Sequence, residues 1–223
     1  MFKNSHLKDK SFSWLVPNIT VWVHLREADP KTAQIFKKAE ILYLDSSRFI
    51  AKVRFLEEKR EIMCALSDLN KASSFWTCES YEDLLNMSIY NYPEIMNNLL
   101  IRKDNNEMYT NLREILIFFL PDKFYSGGFS PAMINYYMQA FVKNLNLNDC
   151  SPHLYRFVCK CLNQTQRSSQ SIIISGEVNS GKTLNFTKAA EFISLMNKSF
   201  KEELDNPFNM TGTILLIKQF FIC

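Results

Sequence analysis

The sequence predicts a small β-barrel or sandwich followed by a larger α/β region, and two observations carry that prediction. The first is a set of short, β-rich runs at close intervals that ends near Asn70. The second is Gly176 to Thr183, G-E-V-N-S-G-K-T, set between a short β-branched run and a helix-compatible stretch. The chain has 223 residues, enough for one large domain or two small ones. The expected division is an N-terminal extension over 1–18, a barrel over 19–72 and an α/β region over 80–223.

In the first region, Ile19-Thr20-Val21-Trp22-Val23-His24-Leu25 alternates in the two-residue rhythm of a half-buried strand. Ala39 to Leu44, Phe49 to Phe55 and Glu61 to Leu66 follow, with turns at Asp45-Ser46-Ser47 and Glu57-Glu58-Lys59. Lys71 to Cys78 reads as a linker. In the second region, Tyr81 to Leu100 reads mainly as helix, with Pro93 near the start of a second segment. Ile115 to Leu120 reads as a buried strand closed by Pro121. Pro131 to Asn144 and Pro152 to Leu162 read as helices, and Ser171 to Ser175 as a buried strand. Leu184 to Asn197 completes the series as an amphipathic helix. The apolar run Ile214 to Cys223 stays open between a strand that pairs with the core and a tail foreign to it. No internal repeat, coiled coil or low-complexity tract is visible.

Composition narrows the function classes. A net charge of +3 is too weak to argue for nucleic acid. No run of about 18 apolar residues occurs, so no membrane insertion is expected, and the polar N-terminus shows no secretory signal. The six cysteines form no C-x-x-C pair, which points to free thiols in a reducing, cytoplasmic setting. Cys159, Cys161 and His153 do not fit a standard zinc spacing. His153 reads as a structural residue at a helix start.

The G-E-V-N-S-G-K-T segment is a full match to the phosphate-binding loop G-x-x-x-x-G-K-[ST]. Only 5 of the 223 residues are glycine, and two of them stand at the two required positions. Successive backbone N–H groups of such a loop, with the helix that follows, hold phosphate oxygens. Gly176 and Gly181 permit the tight path, with Glu177, Val178, Asn179 and Ser180 as the span between them. Lys182 is expected to reach the β and γ phosphates, and the Thr183 hydroxyl to ligate Mg²⁺.

Taken with its surroundings, this text resembles the myosin motor head. Gln170 to Thr183, with Glu177 after the first glycine, looks like that family's phosphate-loop region. Pro152-His153-Leu154-Tyr155 resembles the P-H-I-Y or P-H-I-F that precedes it. Met108-Tyr109-Thr110 through Leu120-Pro121-Asp122-Lys123 resembles a stretch beginning I-Y-T and ending N-P-Y-K. Tyr92 to Leu99 is similar to the helix bearing N-E-P-x-V-L-x-N-L. Val21-Trp22-Val23 and its following strands resemble the SH3-like barrel found before many myosin motors. The family loop reads G-E-S-G-A-G-K-T-E, from which Val178, Asn179, Ser180 and Leu184 depart. Asn179 replaces a glycine with the next most tolerant residue for left-handed backbone.

The resemblance implies part of an α/β P-loop NTPase core preceded by an SH3-like barrel. It implies MgATP as cofactor, held by residues 176–183, with Lys123 near the adenine. It implies actin filaments as partners through a complete motor, and a cytoskeletal myosin complex as location. The family's two switch segments, which surround the γ-phosphate and orient the attacking water, lie beyond the text matched here. This stretch alone is therefore expected to bind MgATP without efficient hydrolysis, and whether it acts as an enzyme stays open. Two other readings remain. One is a scaffold fragment with a vestigial loop. The other is a small P-loop kinase, whose loop usually lies near the N-terminus, whereas here most of the chain precedes it.

Overall fold

The computed structural model describes residues 12–27, 35–73, 80–120, 126–165, 167–203 and 214–218. The chain divides into two compact units. One comprises Met1–Ser80 with Asn86–Asn98, the other Tyr81–Leu85 with Leu99–Cys223.

The first unit is a five-stranded antiparallel sheet. Its strands are β1 (Thr20–His24), β2 (Phe36–Asp45), β3 (Ile50–Phe55), β4 (Glu61–Ala65) and β5 (Leu69–Lys71), in the order β4-β3-β2-β1-β5. Strand alternation produces the core directly: Val21, Val23, Ala39, Ile41, Ala51 and Val53 point to one side and are fully buried. A register shift between Ile41 and Tyr43 marks a bulge at Leu42. The bulge resets the phase, so Tyr43 turns outward while Leu44 still packs on the core. The Asp45 turn closes as the sequence suggests, with Asp45 Oδ1 accepting from the Ser47 and Arg48 amides, each at 3.1 Å. The short β5 was not anticipated; it occupies residues read as the end of the strand region and the start of the linker.

The opposite face of β1 carries Trp22, whose Nε1 donates to Glu94 Oε1 at 2.8 Å. Glu94 also accepts from the Ser73 backbone N–H at 2.6 Å and lies within hydrogen-bond distance of the Ser73 hydroxyl. This carboxylate, 5% exposed, is thereby satisfied inside the unit.

Glu94 sits on α1 (Tyr92–Asp104), which begins later than the sequence suggests. Residues 81–91 form only a 3-10 turn at Leu84–Asn86. Two side chains explain the boundary. Asp83 Oδ1 takes the Leu85 amide at 3.0 Å, and Asn91 Oδ1 takes the Glu94 amide at 3.0 Å as a helix cap. Pro93 then stands in the first turn, where its missing N–H costs nothing.

The second unit holds α2 (Pro131–Val142), α3 (Leu154–Thr165) and α4 (Lys182–Glu203). Its strands are the antiparallel hairpin β6 (Tyr109–Leu112) and β7 (Ile115–Phe118), and the parallel pair β8 (Gln170–Ile174) and β9 (Ile214–Lys218). The C-terminal apolar run thus contains a strand, in register with β8 from Gln170↔Ile214 to Ile174↔Lys218. The core lies between helices and β8. Leu154, Tyr155, Val158, Cys159 and Leu162 form the inner stripe of α3, and Tyr155 stacks on Phe192 of α4 at 4.4 Å. Two expectations of buried strands are corrected. In β7, Ile115 is 59% exposed, and in β8, Ile173 is 61% exposed while Ile172 is buried. A strand sends successive side chains to opposite faces, and among the described residues only one face of β8 is covered by helices.

Candidate functional site

The Gly176–Lys182 segment leaves the end of β8 and turns into α4. Its backbone takes left-handed conformations at Asn179 (φ 62°) and Gly181 (φ 87°). Asn tolerates that region better than other non-glycine residues, which explains how the loop closes with Asn in place of glycine. Both glycines are sterically required. A Cβ on Gly176 would lie 2.6 Å from Ser180 Oγ, and one on Gly181 would lie 2.5 Å from Phe118 Cε1 of β7. The Ser180 amide donates to Glu177 O at 3.2 Å and tightens the turn.

Lys182 folds back over this turn. Its Nζ donates to Gly176 O at 2.7 Å and to Glu177 O. The ammonium is therefore held against the loop's own carbonyls. Ser180 Oγ is buried and has no hydrogen-bond partner among the described residues. A hydroxyl in that state is uncompensated by about 1–3 kcal/mol until an acceptor or donor reaches it. Val178 is 72% exposed and Glu177 is also exposed, so both side chains lie on the outer rim. Lys123, with Pro121 and Asp122, lies outside the described residues.

Two residues that support the loop were missed by sequence reasoning. Asn185, 5% exposed, uses Nδ2 and its backbone N–H to hold Gly181 O, each at 3.0 Å. Tyr109 of β6 donates its hydroxyl to Asn185 Oδ1 at 2.7 Å. Burial pushes the Tyr109 phenol far up, so it remains a donor at any ordinary pH. The legible signal was Asn185 itself, a polar residue heading the buried stripe Asn185-Ala189-Phe192-Met196 of α4.

His153 has a structural role. The Tyr155 backbone N–H can only donate, so His153 Nδ1, 3.0 Å away, is the acceptor. Nε2 then carries the hydrogen and donates to Gly128 O at 2.8 Å. Both nitrogens are occupied in the neutral ring, and burial holds its pKa down to about 4. The thiols are also quiet, since burial pushes Cys159 up to about 12 and Cys161 to about 11.

Beside the loop runs a groove of about 550 Å³, lined by Tyr109, Glu114 to Phe118, Leu154, Phe157, Ser171 to Gly176, Ser180, Lys182 and Asn185. It contains Ile173 and Ile115, the two exposed strand residues. No described helix is long and apolar enough to cross a membrane.

Comparison with known proteins places this geometry in a lineage. The family model for the myosin head (motor domain) matches residues 81–215. The high molecular weight form of myosin-1 from Acanthamoeba castellanii is 33% identical over 128 residues, which is 56% of this chain and 8% of that protein. Myosin-16 of Arabidopsis thaliana is 26% identical over 171 residues, 76% of this chain and 13% of its own length. Myosin-M heavy chain of Dictyostelium discoideum is 27% identical over 169 residues, 73% of this chain and 9% of that protein. The chain thus spans roughly a tenth of the length of these relatives. Its matched region covers the 3-10 turn at Leu84, all four helices and the glycine loop, and the chain belongs to the myosin head (motor domain) family.

Proposed function

We propose that this chain is the ATP-binding portion of a divergent myosin motor, with Gly176 to Thr183 as its phosphate loop. The observation that carries the reading is the pairing of Ser180 and Lys182. A buried hydroxyl without a partner among the described residues and an ammonium held on two neutral carbonyls both belong to one turn, beside Gly176. A phosphate chain there would give the ammonium a charged acceptor and the hydroxyl its missing bond. The amides of the Gly176–Gly181 turn and the start of α4 would add donors and the positive end of the helix dipole.

In this reading Lys182 grips the β and γ phosphates and the Thr183 hydroxyl holds Mg²⁺, whose charge neutralises the phosphate oxygens. Glu177, Val178 and Asn179 contribute backbone, and Asn185 with Tyr109 fixes the loop's exit into the helix. Lys123 stands on the adenine side by resemblance. The second unit is then the N-terminal part of a P-loop motor core, corresponding to 80–223. The strand order of the first unit supports an SH3-like barrel over 19–72, because the short β5 returns to pair with β1. Actin-linked ATP hydrolysis belongs to the complete motor, in a cytoskeletal setting. These 223 residues on their own bind MgATP without efficient turnover, because positioning charges and an oriented water at the γ-phosphate come from the family's switch segments.

Equilibrium binding of a fluorescent ATP analogue with Mg²⁺ tests this against Lys182→Ala. The expected result is saturable binding that weakens about a hundredfold or more in the variant, since charged hydrogen bonds contribute about 1.5–3 kcal/mol each. Thermal unfolding should be nearly unchanged. Equal, negligible signals from two folded proteins would replace this reading with a scaffold whose loop is vestigial.

A further inference from the structure

A second groove, of about 340 Å³, lies at the opposite end of β8 from the glycine loop. Gln170 and Ser171 line it at the start of the strand, and five residues of strand separate the two ends by about 15 Å. Its lining is cationic: Arg113 from the hairpin turn, and Arg156 and Lys160 from α3. One carboxylate, Glu114, faces them, and Asp83 acts on Lys160 from further off. His153 also lines the groove but is neutral, with both nitrogens bonded.

Arg156 is the informative residue. It is only 7% exposed, yet its Nε has no hydrogen-bond partner among the described residues. Its Nη2 makes one long bond, 3.4 Å to Asn148 O. A guanidinium carries five donors and stays charged at any ordinary pH. Two further features are unfavourable. Arg156 is in the first turn of α3, at the positive end of the helix dipole. Lys160 stands four residues on, a like-charge pair on one helix face. Burial first, and the Arg156 charge second, hold the Lys160 pKa below its ordinary value. Asn148 offers the pair only neutral oxygens, its carbonyl to Arg156 and its Oδ1 to Lys160 Nζ at 2.7 Å.

We propose that this groove is a phosphate-type oxyanion site, separate from the glycine loop, in which Arg156 and Lys160 hold the anion and Arg113 stands at its mouth. Three cations against one carboxylate leave an excess that matches a phosphate dianion. The planar fork of Arg156 suits two oxygens at once. Asn111 and Gln164 also line the groove and bring side-chain amides to its rim.

The test uses the full chain carrying Lys182→Ala, which disables the loop in the reading above, so the two sites fail separately. Inorganic phosphate is titrated by calorimetry and by amide chemical shifts. The expected result is saturable binding that survives Lys182→Ala, with shifts at Gln170 and Ser171. Adding Arg156→Gln should weaken it at least tenfold and Lys160→Gln several-fold, while Glu114→Gln should tighten it. Phenyl phosphate is the second arm. Tighter binding than inorganic phosphate assigns the site to a phosphomonoester, and weaker binding assigns it to the free ion. Absence of saturable binding in the Lys182→Ala chain overturns the proposal. So does an affinity unmoved by Lys160→Gln and Glu114→Gln, two changes at less buried positions that test the site even where Arg156→Gln does not fold.

Discussion

The two units solve the burial problem differently. In the first, every strand has neighbours within about 50 residues of sequence, and alternation of apolar residues translates directly into a sealed core. Among the described residues of the second, strands come as two separate pairs, and runs that are apolar throughout send half their side chains outward. Ile172 is buried while Ile173, its neighbour, is 61% exposed. A local pattern specifies structure fully only where the partners it needs are also local. In the second unit the buried core is mostly helical, joined by Tyr109 of β6 and Ile172 of β8, and β8 leads into the glycine loop.

The largest effect should follow from breaking that helical core. Phe192 is fully buried and stacks on Tyr155 at 4.4 Å with an interplanar angle of 16°. Phe192→Ala should cost about 3–5 kcal/mol, as large aromatic truncations do. The units can be read apart, because the second unit's sequence contains no tryptophan, while Trp14 and Trp22 lie in the first. Tryptophan fluorescence should keep its midpoint in the variant while the helical circular dichroism signal melts earlier. Equal shifts of both signals would show the units unfolding as one and dissolve the contrast.

Acid should separate the units next. His153 has its pKa lowered from 6.5 to about 4 in the folded chain. Between those values the unfolded chain binds the proton and the folded chain does not, so stability is lost as pH falls from 6.5 towards 4 and levels off below. The shift corresponds to about 3 kcal/mol at most. Among the described residues of the first unit the carboxylates that respond are Asp45 and Glu61, both lowered, Asp45 first by its bond to Ser47 and Glu61 first by Lys52. Their contribution is present above the ordinary carboxylate values and is lost only as pH falls below them. Helical signal should therefore weaken in urea titrations at pH 5, while tryptophan fluorescence should resist until below pH 4. A helical midpoint independent of pH between 6.5 and 4.5 would remove His153 as the cause.

Much of this arrangement was legible. Four of the five strands in the first unit, helices α2 to α4 and the glycine loop follow from alternation, helical spacing and one motif. What escaped was set by side chains acting on distant backbone. The late start of α1 depends on Asn91 capping it and on Asp83 closing the 3-10 turn before it, against an apolar spacing that favoured an earlier helix. Ile115 and Ile173 were read as buried because a contiguous β-branched run carries no information about which face is covered. At the candidate site the motif gave the loop residues, but Tyr109, 76 residues from Asn185, could be tied to it only by geometry.

A smaller effect is expected at Glu94, which serves as the acceptor for Trp22 and Ser73 in the first unit. Glu94→Gln keeps the shape but exchanges charged for neutral hydrogen bonds, at a cost of about 1–2 kcal/mol. It should move the fluorescence transition alone, the mirror image of Phe192→Ala. A shift in the helical signal of equal size would mean that α1 transmits the damage beyond its first half.

The smallest effect sharpens the comparison most. If the outward face of β8 is covered by nothing within this chain, Ile173→Thr should change stability by less than about 0.5 kcal/mol, the usual range for a surface position. The corresponding change in the first unit, Ile41→Thr at a fully buried strand site, should cost several kcal/mol, because it places a hydroxyl in a packed core. Both residues are isoleucines in the middle of β-strands, so strand propensity cancels and only the presence of a covering layer differs. A costly Ile173→Thr would mean that its face is packed in solution, and the exposed strands of the second unit would then be as fully used as those of the first.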